Sequence, residues 1–341
     1  MFSPLRSLFI NDDQQTVTCV LPSQYSIFSV NPFELKYSKA NFGFSLGSAV
    51  TCQGYRFIAF SGLPADPEFD TRQVCIFDHD KIEKEPKDEK KPNNPIIFLH
   101  KFDIHILSMR ITPQYLIVAF HHHIEIWDIN LNKPLQQISI GLNVHAPCDV
   151  TNDYYLLATA GRELYNCNLY LLNEQKQFSI RAADETVSLV KFSRTPGFLA
   201  TTSLDGKIVR VFDTSQISDN NSANNSCIGK FKRGNMASVI HSIDFSPNNK
   251  FMAIVSQNGT IHFFDLRNKT PSQNPPTFRS THKISLGQQD LAYILWQTPS
   301  LIIALTMMGM MISIAVDDET CHEVGREQLM FLPNLCDEVE V

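Results

Sequence analysis

Short runs in which apolar and polar residues alternate occupy most of this chain, and many close in the same way. A β-rich stretch reaches an aromatic or aliphatic residue and then stops at Asp or Asn. The clearest examples are Cys75-Ile76-Phe77-Asp78, Glu125-Ile126-Trp127-Asp128, Arg210-Val211-Phe212-Asp213 and His262-Phe263-Phe264-Asp265. Fainter copies end at Asn31, Asn173 and Asp317, so that seven ends recur with a mean spacing of about 48 residues. A second repeat supports the first. Gly197-Phe198-Leu199-Ala200 to Gly206-Lys207-Ile208-Val209-Arg210 parallels Lys250-Phe251-Met252-Ala253 to Gly259-Thr260-Ile261-His262, each reading as strand, glycine turn, strand. Apolar residues within them, such as Ile208 and Val211 or Ile261 and Phe263, suit half-buried strands.

This period fits four-stranded propeller blades, and Trp127-Asp128 is a WD-type dipeptide. The expected fold is all-β: one seven-bladed β-propeller of WD-repeat type over 1–332, with an acidic tail at 333–341. Blade boundaries are expected near 1–44, 45–104, 105–144, 145–184, 185–233, 234–285 and 286–332. Three insertions interrupt the pattern. Asp80 to Asn94 is mixed-charge with almost no hydrophobes and reads as a solvated loop. Ser215 to Ser226 is rich in Ser and Asn and reads as mobile. Arg267 to His282 carries Pro271, Pro275, Pro276, a lone Phe278 and several cations. The apolar stretch Leu301 to Val316 is about 16 residues, short of the roughly 20 of a spanning helix. With Met307-Met308-Gly309-Met310 at its centre it reads as two buried strands and a turn, the methionines belonging to blade core.

Composition narrows the class. The chain has 341 residues, 43% hydrophobic and 19% charged, which is ordinary for a folded soluble protein. Its 24 Phe, 14 Gly and 18 Pro favour strands and turns. The eight Cys are dispersed with no C-x-x-C pair, against a zinc site or disulfide framework and for a reducing compartment. The N-terminus lacks the apolar core of a signal peptide. Net charge is −6, but residues 186–283 hold 12 Lys and Arg against 5 Asp and Glu, a net of +7, which leaves 17 against 30, or −13, elsewhere. Such a chain presents one face to an anionic partner. Within the basic third lies Phe231-Lys232-Arg233-Gly234. Adjacent strand residues point to opposite sides, so Lys232 and Arg233 are placed to serve two neighbouring pockets.

Phe231-Lys232-Arg233-Gly234, followed by Ile240-His241-Ser242-Ile243-Asp244-Phe245-Ser246-Pro247 and Gly259-Thr260-Ile261-His262, resembles the PROPPINs, β-propellers that bind polyphosphoinositides and include the WIPI proteins of autophagy. Their hallmark is an FRRG or LRRG segment in this setting, and the resemblance extends from about Leu8 to Phe331. It implies two headgroup pockets on the rim, recognition of phosphatidylinositol 3-phosphate or 3,5-bisphosphate, and recruitment of autophagy proteins, including a lipid-transfer protein or the conjugation machinery. By position, Thr201, Ser203, Arg210 and Lys232 would line the first pocket. Arg233, Ser256, Thr260 and His262 would line the second. The resemblance also implies a cytoplasmic protein on the periphery of preautophagosomal, endosomal or vacuolar and lysosomal membranes. Arg, Ser, Thr and His donors suit a phosphate monoester on chemical grounds alone.

The chain departs from the pattern. Lys232 replaces the first Arg of the motif, Ala182-Ala183-Asp184 stands where the family has Ala-His-Lys, and Asn258 replaces a Lys. A strong second pocket and a weak or absent first one are therefore expected. In the loop 267–282, where relatives insert hydrophobic residues into the bilayer, Arg267, Lys269, Phe278 and Arg279 are the expected membrane contacts, with Phe278 the single apolar anchor. His121-His122-His123 reads as a polar strand edge or turn, because consecutive strand residues cannot share a face and no further ligands complete a tetrahedral set. No metal, cofactor or nucleic-acid partner is expected, and no phosphate loop, nucleophile elbow or zinc signature suggests an enzyme. The rival reading is a protein-interaction scaffold of the same architecture that has lost lipid binding.

Overall fold

In the computed structural model, the described residues form seven sheets of four antiparallel strands each, successive in the chain apart from one short strand that precedes the last strand of the sixth sheet and joins the fifth sheet in parallel. The structure describes residues 5–329 apart from 12–14, 41–43, 53, 55, 65, 83–94, 152, 154, 173, 175, 196, 216, 218–219 and 288–290. Blades 1 to 7 span 7–40, 46–101, 108–139, 148–181, 187–232, 240–285 and 292–328. Their first strands lie innermost: Cys148–Val150 of blade 4 packs against Ser108–Ile111 of blade 3 and Val187–Phe192 of blade 5.

Strand alternation builds the ring. Successive side chains enter opposite inter-blade spaces, and seven apolar clusters fill these spaces. Phe231, Phe245, Met252 and Phe264 join blades 5 and 6, for example, and Leu199 and Phe212 join blade 5 to Leu169 and Phe178 of blade 4. The ring closes by the same packing, Leu8 and Val17 of blade 1 against Leu295 and Ile303 of blade 7. Two hydrogen bonds add to the closure, Leu5 N to Met307 O at 2.9 Å and Gln297 Nε2 to Val30 O at 2.7 Å. Buried carboxylates lace the inner strands. Asp149 accepts from Arg110 Nε (3.0 Å) and the Phe192 amide (2.9 Å), with Lys191 at 3.5 Å. Asp244 accepts the Trp296 amide at 2.8 Å.

The recurring terminal Asp has a local cause. Asp128 Oδ1 accepts the amides of Asn130 and Leu131, both at 2.9 Å, Asp213 Oδ1 that of Ser215 at 2.9 Å, and Asp265 Oδ1 that of Arg267 at 2.8 Å. Each caps the turn out of the third strand of its blade with its own side chain.

Some expectations need correction. The Ser/Asn-rich insertion contains a helix, Asn220–Asn225, whose Ala223 is fully buried against blade 4. The charged insertion begins with a helical turn, His79–Ile82, in which His79 is buried and bonded to Tyr25 Oη at 2.8 Å; its remainder, 83–94, lies outside the described residues, as does the tail 333–341. Leu301–Thr306 and Met310–Val316 are paired strands, but Met308, on the turn between them, is exposed rather than core. No helix among the described residues is long and apolar enough to cross a membrane.

Candidate functional site

The two central strands of blade 6, Phe251–Ser256 and Thr260–Asp265, divide their side chains between two spaces. Val255, Ile261 and Phe263 enter the cluster shared with blade 7, and Met252, Ile254 and Phe264 the one shared with blade 5. Ile254 pairs with His262, so parity puts Ser256, Thr260 and His262 on the blade 5 side. The strand His282–Ser285 adds Lys283 opposite His262 and Ser285 opposite Thr260. In blade 5, Phe231 faces blade 6, whereas Lys232 pairs with Ile208 and shares the opposite face with Arg210. The two adjacent cations therefore turn towards different inter-blade grooves.

In the groove between blades 4 and 5 a carboxylate already pairs with the arginine. Arg210, almost wholly buried, places Nη2 2.7 Å from Asp184 Oδ1, which also lies 3.9 Å from Arg181. Thr201 is fully buried and its hydroxyl donates to Ala182 O at 2.6 Å, while Ser203 donates to Asp205 Oδ1 at 2.7 Å. Thr201 and Ser203 thus tie the blade together instead of lining a pocket, and only Lys232 of the four retains a half-exposed cationic head. This corrects their expected role: short hydroxyls in tight strands reach a neighbouring carbonyl or carboxylate before they reach a ligand.

The groove between blades 5 and 6 differs. Arg233 Nε donates to Gly206 O at 2.8 Å and Nη2 donates to Met236 O. These neutral carbonyls fix the guanidinium without cancelling its charge. Asp205, the carboxylate whose field reaches it, pairs with Lys207 at 3.2 Å. Burial presses against the Arg233 charge. His262 has Nδ1 3.4 Å from Ser280 Oγ, and its pKa is pushed down to about 4, first by burial and then by Arg233 and Lys283. Ser256 Oγ, Ser238 Oγ and His241 Nε2 are buried with no hydrogen-bond partner among the described residues. Ser256 pairs with Ile240, and the Ser238 amide is bonded to Asp205 O, so Ser256 and Ser238 flank the segment that follows Arg233. Unpaired buried donors beside an uncancelled cation suit an anion with several oxygens. Lys283 and Ser238 escaped the reading of the sequence. Lys283 was in principle visible, since it lies two residues before a Ser that pairs across from Thr260, but the strand pairing had to be known first.

The loop between the third and fourth strands of blade 6 does not behave as expected. Thr277–Arg279 forms a parallel fifth strand on Cys227–Lys232, matching Phe278 with Phe231. The Phe278 ring lies 5.3 Å from that of Phe231, and Lys269 Nζ sits 4.4 Å above Phe278. Arg267 is held by Asp265 and Asp318 at 2.6 and 2.9 Å. Phe278 is therefore packed onto blade 5 and is no free bilayer anchor; of the four expected contacts, Arg279 stays exposed and without an ion pair among the described residues. His123, last of the His triplet, begins a strand and lies 3.2 Å from Glu125 Oε1. Away from the basic grooves, a cavity of about 890 Å³ opens between blades 2 and 3, lined in part by His100, Phe102, His123, Glu125 and Leu135.

Comparison with known proteins agrees with this architecture. A family model described as PROPPIN matches residues 70–298. The "Autophagy-related protein 18" of Dictyostelium discoideum is 28% identical over 76% of this chain and 64% of its own length. The Yarrowia lipolytica protein of the same description is 24% identical over 78% of this chain and 67% of its own. The chain thus spans about two thirds of the length of these relatives. Among solved structures, Kluyveromyces marxianus Hsv2 matches with a TM-score of 0.76 at 21% identity, covering 96% of this chain and all of that one. A complex of KlAtg21 with the coiled-coil of AgAtg16 contains a chain matching at 0.74 with 17% identity, covering 96% of this chain and 100% of its own. With the motif Phe231-Lys232-Arg233-Gly234 at the blade 5 to blade 6 junction and the family match across two thirds of its length, this chain belongs to the PROPPIN family.

Proposed function

We propose that this protein is a non-catalytic, peripheral membrane adaptor of autophagy that recognises a 3-phosphorylated phosphoinositide headgroup in the groove between blades 5 and 6. The observation that carries the proposal is the coincidence there of an uncancelled Arg233, a His262 whose pKa is held near 4 by burial and neighbouring cations, and a buried Ser256 hydroxyl without a partner among the described residues. Arg233 would supply paired donors to phosphate oxygens, Ser256 and Thr260 hydroxyls would complete the shell, and Lys283 would balance the second charge. Charge-assisted bonds of about 1.5–3 kcal/mol each support a micromolar site, about −8 kcal/mol. The autophagy-related names of the relatives support action at autophagic membranes, and the Atg21–Atg16 complex among the structural neighbours supports a protein partner from that machinery.

Flotation with vesicles containing or lacking phosphatidylinositol 3-phosphate tests this. The expected result is headgroup-dependent binding that falls about tenfold or more in Arg233→Ala and less than about threefold in Lys232→Ala. A second reading, a scaffold that has lost lipid binding, draws support from the Asp184 carboxylate that fills the first groove. Absence of any headgroup-dependent flotation of the wild type decides in its favour.

A further inference from the structure

Two loops at one end of blade 5, 203–207 and 233–238, are laced into a single platform. Arg233 N donates to Lys207 O at 2.8 Å, Arg233 Nε to Gly206 O at 2.8 Å, and Ser238 N to Asp205 O at 2.9 Å. The approach is close enough to require glycine: Gly206 has φ +58°, and a Cβ on it would sit 2.0 Å from Ser238 O. This rigid platform raises two large apolar side chains into solvent. Met236 is 78% exposed, more than any other large hydrophobic among the described residues, and Leu204 is 42% exposed. The same two loops carry Lys207 and Arg233, with Lys232 adjoining, while Asp205 pairs with Lys207 and the exposed Glu185 precedes Thr186, whose carbonyl accepts the Leu204 amide. Exposed apolar tips on loops that also carry cations are what the interface of an anionic bilayer accommodates, the tips entering the acyl boundary and the cations meeting lipid phosphates. The net +7 of residues 186–283, set against an acidic remainder, turns the blade 5 and blade 6 side of the ring towards such a surface.

We infer that Met236 and Leu204 form the apolar membrane anchor of this protein, inserting beside the blade 5 to blade 6 groove while Phe278 stays packed on Phe231. The inference rests on the proposed recognition of a phosphoinositide in that groove and names the contact that would hold the groove at the bilayer. Because Met236 meets Arg233 through its backbone carbonyl, replacing its side chain leaves that hydrogen bond available.

The two tryptophans of the chain, Trp127 and Trp296, are buried, so an added surface tryptophan reports its own surroundings. Met236→Trp and Phe278→Trp are each mixed with phosphatidylcholine vesicles carrying phosphatidylinositol 3-phosphate and brominated acyl chains. The expected result is blue-shifted, bromine-quenched emission from position 236 and no change from position 278. In parallel, the double variant Met236→Ser with Leu204→Ser is expected to bind these vesicles about tenfold more weakly. Titration with soluble dibutanoyl phosphatidylinositol 3-phosphate reports separately whether its groove is intact. Quenching at 278 instead of 236, or undiminished flotation of the double variant, overturns the anchor while leaving the headgroup reading in place. Failure of the wild type both to float and to bind the soluble lipid overturns the two together.

Discussion

At the scale of single residues, the contrast between two arginines carries most of the functional content. Arg210 and Arg233 sit at one blade, but the first meets a carboxylate at 2.7 Å and the second meets carbonyls. This ion pair, buried at its Arg210 end and exposed at its Asp184 end, competes with an incoming anion, since a phosphate must first displace Asp184 from the guanidinium. Replacing Asp184 with Asn removes the competing charge while keeping a hydrogen-bonding side chain beside Arg210. Calorimetric titration of Asp184→Asn with soluble dibutanoyl phosphatidylinositol 3-phosphate is expected to show a second binding event absent from the wild type. One event in both proteins would show that the loss of the first groove is steric or due to Thr201 and Ser203. The charge of Asp184 was legible in the sequence as an anion where relatives carry a cation. The capture of the Thr201 hydroxyl by Ala182 O was not, because it depends on the approach of blade 4 to blade 5.

At the scale of elements, the strap Thr277–Arg279 shows how a local reading fails. Proline and cations around one aromatic read as a membrane-contact loop with Phe278 as its apolar anchor. The structure instead finds an unpaired edge on blade 5, and the strap covers it, which also protects that edge from pairing with other chains. Gly229 makes the docking possible: a Cβ there would lie 2.6 Å from Phe278 Cε2. Gly229→Val is therefore expected to lift the strap without unfolding the ring, read as faster amide exchange at 277–279 and an unchanged exchange rate in the inner strands. Unchanged exchange at 277–279 would mean that the Phe278 ring simply slides aside. Such edge pairing was invisible in sequence, since it depends on which strand the fold leaves uncovered. The third-strand aspartates were visible because their turns are closed by the side chain itself.

At the scale of the whole molecule, buried titratable groups couple the ring to pH. Burial and nearby Lys39 push His79 down to about 4, and burial with Arg233 and Lys283 does the same to His262. A folded-state value below the ordinary 6.5 means that the unfolded chain binds more protons between about 4 and 6.5, so these groups remove stability as pH falls through that window. Asp244 acts oppositely. Burial raises it from 3.8 to about 6, so the folded ring takes up a proton below that value and gains stability as pH falls towards 3.8. Two histidines against one carboxylate give a melting temperature that is expected to fall between pH 7 and pH 5. Asp244→Asn is expected to steepen that fall by removing the opposing contribution, as scanning calorimetry at the two pH values would show; a shallower fall would contradict the assignment. Strand alternation, the period of about 48 residues, the motif Phe231-Lys232-Arg233-Gly234 and the substitution at Asp184 were determined by the sequence itself, because each is a local property: parity along a strand, turn chemistry, or the charge of one side chain. Only the tertiary structure decided that Phe278 packs on Phe231, that Lys283 lies opposite His262, and that Met236 and Leu204 stand exposed on two laced loops at one end of blade 5. Those facts depend on which blades meet and how closely, and such long-range packing distances are not encoded in any short window of the chain.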